Sequence, residues 1–175
     1  TDNIFLVGLS MGGILSLLMS TRLSVRGVVA MSTPYKLPDD PRLRHIEWIS
    51  KIVSYMPKSE GEPGSGWFDK EAWKEHVSYP MNPVRSIGEL NKLLGEMRAA
   101  LPQVNMPVML IHSSDDKYVA PDNMEMIYAD LANASDKTKL SITGSGHVIT
   151  RDAARRQVFE AAADFIRRVE LQFES

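Results

Sequence analysis

Within the first dozen residues a two-sided apolar run, Ile4 to Gly8, passes through Gly8-Leu9-Ser10-Met11-Gly12 straight into a helical pattern, with no residues to spare for a loop. Only a very sharp strand-to-helix turn fits that order. Such a turn needs small residues on either side of its central serine, holds the serine in a strained conformation and leaves its hydroxyl exposed. Gly8 and Gly12 fit that requirement. A strand that is apolar on both faces belongs inside a parallel sheet. The helix expected over Met11 to Ser20 spreads Ile14, Leu15, Leu17 and Leu18 around most of its circumference, the pattern of a helix packed deep in the protein.

The same alternation returns later. GVVAM, from Gly27 to Met31, reads as a second strand, VMLI from Val108 to Ile111 as another, and TKLSI from Thr138 as the last. A helix is expected from about Pro121 with Met124, Ile127, Tyr128 and Leu131 on one side, and a final amphipathic helix carries Val158, Ala162, Phe165 and Val169 in one stripe. Strands alternating with helices imply a mostly parallel α/β sheet with right-handed crossovers. The stretch from Pro34 to Leu101 breaks the rhythm with seven prolines and a glycine-rich turn, Glu60 to Gly66. No strand is evident in it. Helices are expected over Leu43 to Met56, Phe68 to Val77 and Ile87 to Leu101, so residues 35–100 read as a helical insertion between core segments 1–34 and 101–175.

Composition narrows the function classes. With 20 basic against 22 acidic residues and no basic stripe, a nucleic-acid partner is not expected. The longest apolar run, near Ile14 to Met19, falls far short of the roughly 20 residues of a membrane span. The chain has no cysteine, which removes disulfides, thiolate metal sites and a thiol nucleophile. No histidine pair has metal-site spacing, so no metal site is expected. The Asn133-Ala134-Ser135 sequon reads as chance, and the GSGW and GSGH stretches read as turns.

A serine hydroxyl is a poor nucleophile at neutral pH and needs a base, itself oriented by a third group. His147, in TGSGHVIT just past the last strand, is the candidate base; Asp115 and Asp116, just past VMLI, are the candidate orienting groups. All three positions fall at the carboxyl edge of the sheet, where open α/β folds bind ligands. The amide of Met11, at the start of the first helix, points where an oxyanion would form. His45, His76 and His112 read as packing or surface residues.

Taken together, GLSMGG, IHSSDDKYVAP and GSGHVIT resemble the α/β-hydrolase superfamily, in its bacterial carboxylesterase and monoacylglycerol lipase branch. The resemblance implies a partial α/β-hydrolase fold, the C-terminal half of a mostly parallel sheet with flanking helices, capped by the helical insertion. It implies a serine esterase for short- to medium-chain esters or monoacylglycerols. Hydrolysis by a serine, a histidine and a carboxylate requires no cofactor, and none is expected. Asp116 is favoured over Asp115, because Asp116-Lys117-Tyr118-Val119-Ala120-Pro121 is similar to the D-x-x-V-x-P run that follows the family's acid. Asp115 would then serve the turn. Trp48, Trp67 and Trp73 in the cap offer apolar area for an acyl chain or for the cap's own core. The family's sheet begins with further strands, including a loop that donates a second oxyanion amide, whereas three residues precede the first strand here. The expectation is therefore a fragment whose open sheet edge could meet a complementary N-terminal chain or a second copy, in a cytoplasmic setting. Other expectations within the fold are thioester, amide or carbon–carbon hydrolysis; outside it stands a weakly active or inactive interaction module.

Overall fold

The computed structural model describes residues 3–58 and 64–174. Its centre is a four-stranded parallel sheet of β1 (Phe5–Leu9), β2 (Gly27–Met31), β5 (Val108–Ser113) and β6 (Lys137–Ile142), in that spatial order. Every residue of β2 and β5 is buried, as expected of central strands without alternation. In β1 the expectation of a strand inside the sheet gives way. Among the described residues β1 is an edge strand, paired only with β2, and Val7 in its middle is 51% exposed. Its apolar run suits coverage on both faces; α6 (Arg155–Glu174) packs over β2 and β5, and Phe5 and Leu9 of β1 lie against the margin of the same apolar layer.

Two apolar layers hold the sheet. On one face α1 (Met11–Ser20) contributes Ile14 and Leu17, α4 (Val84–Ala100) contributes Leu94 and Met97, and α5 (Asp122–Asp130) contributes Met124 and Ile127, all against Val28, Ala30, Val108 and Leu110. On the other, Val158, Phe165 and Val169 of α6 cover Val29, Met31, Met109 and Ile111. The alternation of strand residues between the two clusters is the period-2 geometry of a pleated strand. α1 is not buried all round: Leu15 and Met11 are exposed, so only part of its apolar circumference is used.

Between β2 and β5 the chain runs through α2 (Ile46–Ile52), β3 (Tyr55–Pro57), α3 (Lys70–Lys74), β4 (Met81–Pro83) and α4. The absence of strands expected here is corrected by β3 and β4, which form a two-stranded antiparallel ribbon with Tyr55 opposite Pro83. Strands of three residues carry no readable alternation, and their prolines sit at the ends, where a missing N–H is tolerated. The helix expected to reach Met56 therefore stops at Ile52, and that expected over Phe68 to Val77 shrinks to α3, N-capped by Asp69. Of the expected turn at Glu60 to Gly66, residues 60–63 lie outside the described residues; Gly64 and Gly66 hold positive φ of 73° and 78°. Among the described residues no helix is long and apolar enough to cross a membrane.

Candidate active site

The turn between β1 and α1 is as sharp as the sequence demands. Ser10 sits at φ 55°, ψ −117°, a region that side-chain-bearing residues rarely occupy, and its N–H donates to Met31 O at 2.8 Å. Its carbonyl accepts the N–H groups of Gly13 and Ile14, so the strained residue is fixed from both sides. The requirement for small residues falls on Gly8 and Gly13. A Cβ at Gly8 would overlap the backbone of Gly12, and one at Gly13 would overlap Thr33 Oγ1. Gly12, expected to share that requirement, faces open space instead. Ser32, just past the end of β2, is strained likewise at φ 46°, and its buried hydroxyl has no hydrogen-bond partner among the described residues.

Three side chains meet at the carboxyl edge of the sheet. His147 Nε2 lies 3.0 Å from Ser10 Oγ, and His147 Nδ1 lies 2.8 Å from Asp116 Oδ2. The carboxylate can only accept, so Nδ1 carries the proton and Nε2 presents its lone pair to the serine hydroxyl. Asp116 is fixed independently of the histidine, because its Oδ1 accepts the N–H groups of Tyr118 and Val119, each at 2.9 Å. The largest influence on its pKa is burial, which acts to raise it. Hydrogen bonds from His112 and His147, the His147 charge and the Val119 N–H outweigh that burial and hold the carboxyl well below the usual carboxylate range. Asp115 turns away from the histidine and accepts the Gly144 N–H at 2.8 Å, tying the two loops together.

His112 is brought into the site although its sequence reads as packing. Its ring is 1% exposed, with Nε2 3.0 Å from Val119 O and 3.3 Å from Asp116 Oδ2. Both neighbours are acceptors, so this nitrogen is the protonated one, and Asp116 lies between two imidazole donors. The four-residue spacing of His112 and Asp116 across a strand end was the available signal. Asp152 had no such signal in the sequence. It is fully buried and gathers backbone N–H groups from the distant Phe68 and Asp69 and from Gly146 beside His147.

The three tryptophans do not share one wall. Trp67 is buried, its ring centroid 5.0 Å from that of His76, and with Gly66 and Phe68 it lines a cavity of about 410 Å³ against Ser114–Lys117. Trp48 is 64% exposed on α2, and the ring of Trp73 packs on Gly64. Tyr118 reaches the site directly, with its ring centroid 5.9 Å from that of His147. A larger open cavity of about 730 Å³, between residues 35–41 and Arg98 of α4, includes none of the three convergent side chains. Met11, the first residue of α1, has the N1 amide that no helical carbonyl can satisfy.

Comparison with known proteins gives the family and the fold. A family model described as serine aminopeptidase, S33 (Hydrolase_4) matches residues 1–154. The chain is similar to a carboxylesterase of Bacillus subtilis (strain 168), 24% identical over 169 residues covering 97% of this chain. It is also 24% identical over 165 residues to a thermostable monoacylglycerol lipase of Bacillus sp. (strain H-257), which covers 94% of this chain. It spans 65% and 62% of those two relatives' lengths. Among solved structures, that of the metagenome-derived lipolytic enzymes LipS and LipT superposes with a TM-score of 0.81 at 26% identity, over 95% of this chain and 66% of that one. The monoacylglycerol lipase of Paleococcus ferrophilus gives 0.79 at 18% identity, over 94% and 68%.

Proposed function

Because this chain belongs to the serine aminopeptidase S33 family of α/β-hydrolases, we propose that it carries the catalytic triad of a serine carboxylesterase, with Ser10 as nucleophile, His147 as base and Asp116 as orienting acid. The observation that carries the reading is the unbroken hydrogen-bond line from Ser10 Oγ through the His147 ring to Asp116. Ser10 attacks the ester carbonyl as His147 Nε2 takes its proton, and Asp116 stabilises the imidazolium that results. The carbonyl oxygen, now negative, faces the Met11 N–H at the positive end of α1. Collapse returns the proton to the departing alcohol and leaves an acyl-serine. Water, deprotonated by the same histidine, attacks that acyl group, and the acid and free Ser10 are released.

The names of the two bacterial relatives, a carboxylesterase and a monoacylglycerol lipase, support carboxylic esters, monoacylglycerols among them, as the substrate class. Residues 35–100 serve as the cap in this reading, with Trp67 as the tryptophan best placed to meet substrate, since it lines the cavity that contains Asp116. Trp48 and Trp73 would serve the cap itself. The family's description as an aminopeptidase favours a second reading, amide hydrolysis by the same three groups. A fluorophosphonate probe followed by peptide mapping tests the nucleophile: the label is expected on Ser10 and absent from Ser10→Ala. A panel of p-nitrophenyl esters and amino-acid p-nitroanilides tests the bond. Turnover of the esters alone supports the esterase, turnover of the anilides alone the peptidase, and full ester activity in Ser10→Ala overturns both.

A further inference from the structure

Asp152 is a carboxylate with 0% exposure that takes no part in the proton path. Four backbone N–H groups point at it. Oδ1 accepts from Phe68 at 2.9 Å, Asp69 at 2.7 Å and Ala153 at 2.8 Å; Oδ2 accepts from Gly146 at 2.6 Å and more distantly from Phe68 at 3.2 Å. All are donors, which suits an acceptor-only carboxylate, and a buried charge so surrounded is held in place by every one of them.

The identity of those donors gives the arrangement its meaning. An acid just ahead of a helix ordinarily caps it by accepting first-turn amides. Here α6 begins at Arg155, and among the described residues the first-turn side supplies Ala153 alone while two of the four donors come from the segment leading into α3, more than eighty residues earlier. The fourth, Gly146, is the residue before His147. Gly146 also packs directly under the Gly66 carbonyl, where a Cβ would overlap it. On its far side the histidine loop is held by the Ser113 hydroxyl, which donates to Ser145 O. Residues 66–68 in turn face Ser114–Lys117 across the cavity beside Asp116. The segment 66–69 thus lies against the loop that carries the base and across a cavity from the loop that carries the acid, and one carboxylate joins it to the residue before the base.

We propose that Asp152 is a positioning residue that makes the placement of His147 depend on the docking of segment 66–69, so that displacing this part of the insertion withdraws the support behind the base. The proposal rests on the esterase reading for what His147 does, and on the geometry alone for the link between the two segments. If the segment lifts, Asp152 loses two of its four donors, and the Gly146 amide is then held by a carboxylate that is itself underheld. Arg155, paired with Asp69 at 2.7 Å on the exposed side of the same junction, holds the segment from outside.

The link is tested on the whole chain by hydrogen exchange and ester kinetics in Asp152→Asn, which keeps the shape but turns a donor toward donors. Exchange should quicken about tenfold or more in both peptides, that around Phe68 and that around Gly146. At the same time kcat should fall about tenfold or more with KM changed less than about threefold, since the base is misplaced and the pocket is not removed. Exchange that quickens in only one peptide overturns the link, as does an unchanged kcat. Should Asp152→Asn not fold, Phe68→Pro deletes a single cap-side donor and leaves the carboxylate intact; it should quicken exchange around Gly146, and failure to do so overturns the proposal. Lack of fluorophosphonate labelling at wild-type Ser10 would sink the esterase reading instead, and the exchange result would stand by itself.

Discussion

Asp116 is 5% exposed yet keeps its charge, because four hydrogen-bonding neighbours outweigh what burial alone would do to it. A carboxyl whose folded pKa lies below its unfolded one adds stability that is fully present above about pH 4 and drains away as the pH falls toward the folded value. Asp116→Asn abolishes that contribution. Urea midpoints measured near neutrality and at about pH 3 should therefore fall further apart in the wild type than in the variant. The same substitution frees the tautomer of His147, so kcat for a p-nitrophenyl ester should drop by about 10⁴-fold. His112 gives a separate expectation. His112→Phe removes a donor from Asp116 and leaves Val119 O without its partner, which should lower stability by about 1–3 kcal/mol and reduce kcat roughly tenfold, read by chemical denaturation and steady-state kinetics. His112→Gln, which restores an N–H, should recover most of both. The convergence of Ser10, Asp116 and His147 was legible in the sequence because each lies just past a strand-like run, and the D-x-x-V-x-P resemblance separated Asp116 from Asp115. His112 and Asp152 were not, because a histidine ending a buried strand and an aspartate before a helix both have commoner uses, and only their partners in space set them apart.

At the scale of elements, the junction of β1 and α1 separates what the motif demands from what merely accompanies it. The Gly12 position opens on nothing within reach of a Cβ, while Gly8 lies against the backbone of Gly12 and Gly13, which cannot move aside without dismantling the helix start. Gly12→Ala should therefore leave the denaturation midpoint unchanged or raise stability by up to about 1 kcal/mol, since alanine is the better helix former. Gly8→Ala should cost more than about 4 kcal/mol or prevent folding, as followed by circular dichroism and denaturant titration. The central strands and α4, α5 and α6 could be read from runs and stripes because burial there is continuous. The ribbon of β3 and β4 could not, for its six residues include two prolines and gain their pairing from a partner more than twenty positions away.

For the molecule as a whole the decisive feature is the side of the sheet at β1. β6 closes the other end with Lys137 and Lys139, and Lys139 is paired with Glu125 there, the charged finish that discourages further pairing. β1 has no such finish. It is parallel to β2, unpaired along its other side among the described residues, and carries exposed Val7, with Ile4 exposed just before it and Leu15 and Leu23 exposed on the segment that follows. An apolar strand edge is a template for another strand, and an uncovered apolar face beside it adds burial to whatever pairs there. The 175-residue chain alone should accordingly show a mass above that of one chain in light scattering, rising with concentration. Val7→Lys, which sets a charge in the middle of that edge at a position already half in solvent, should move the mass toward a single chain while the fluorophosphonate reaction at Ser10 is retained. Scattering at one chain's mass for the wild type across the whole concentration range would overturn the reading of this edge as a pairing surface.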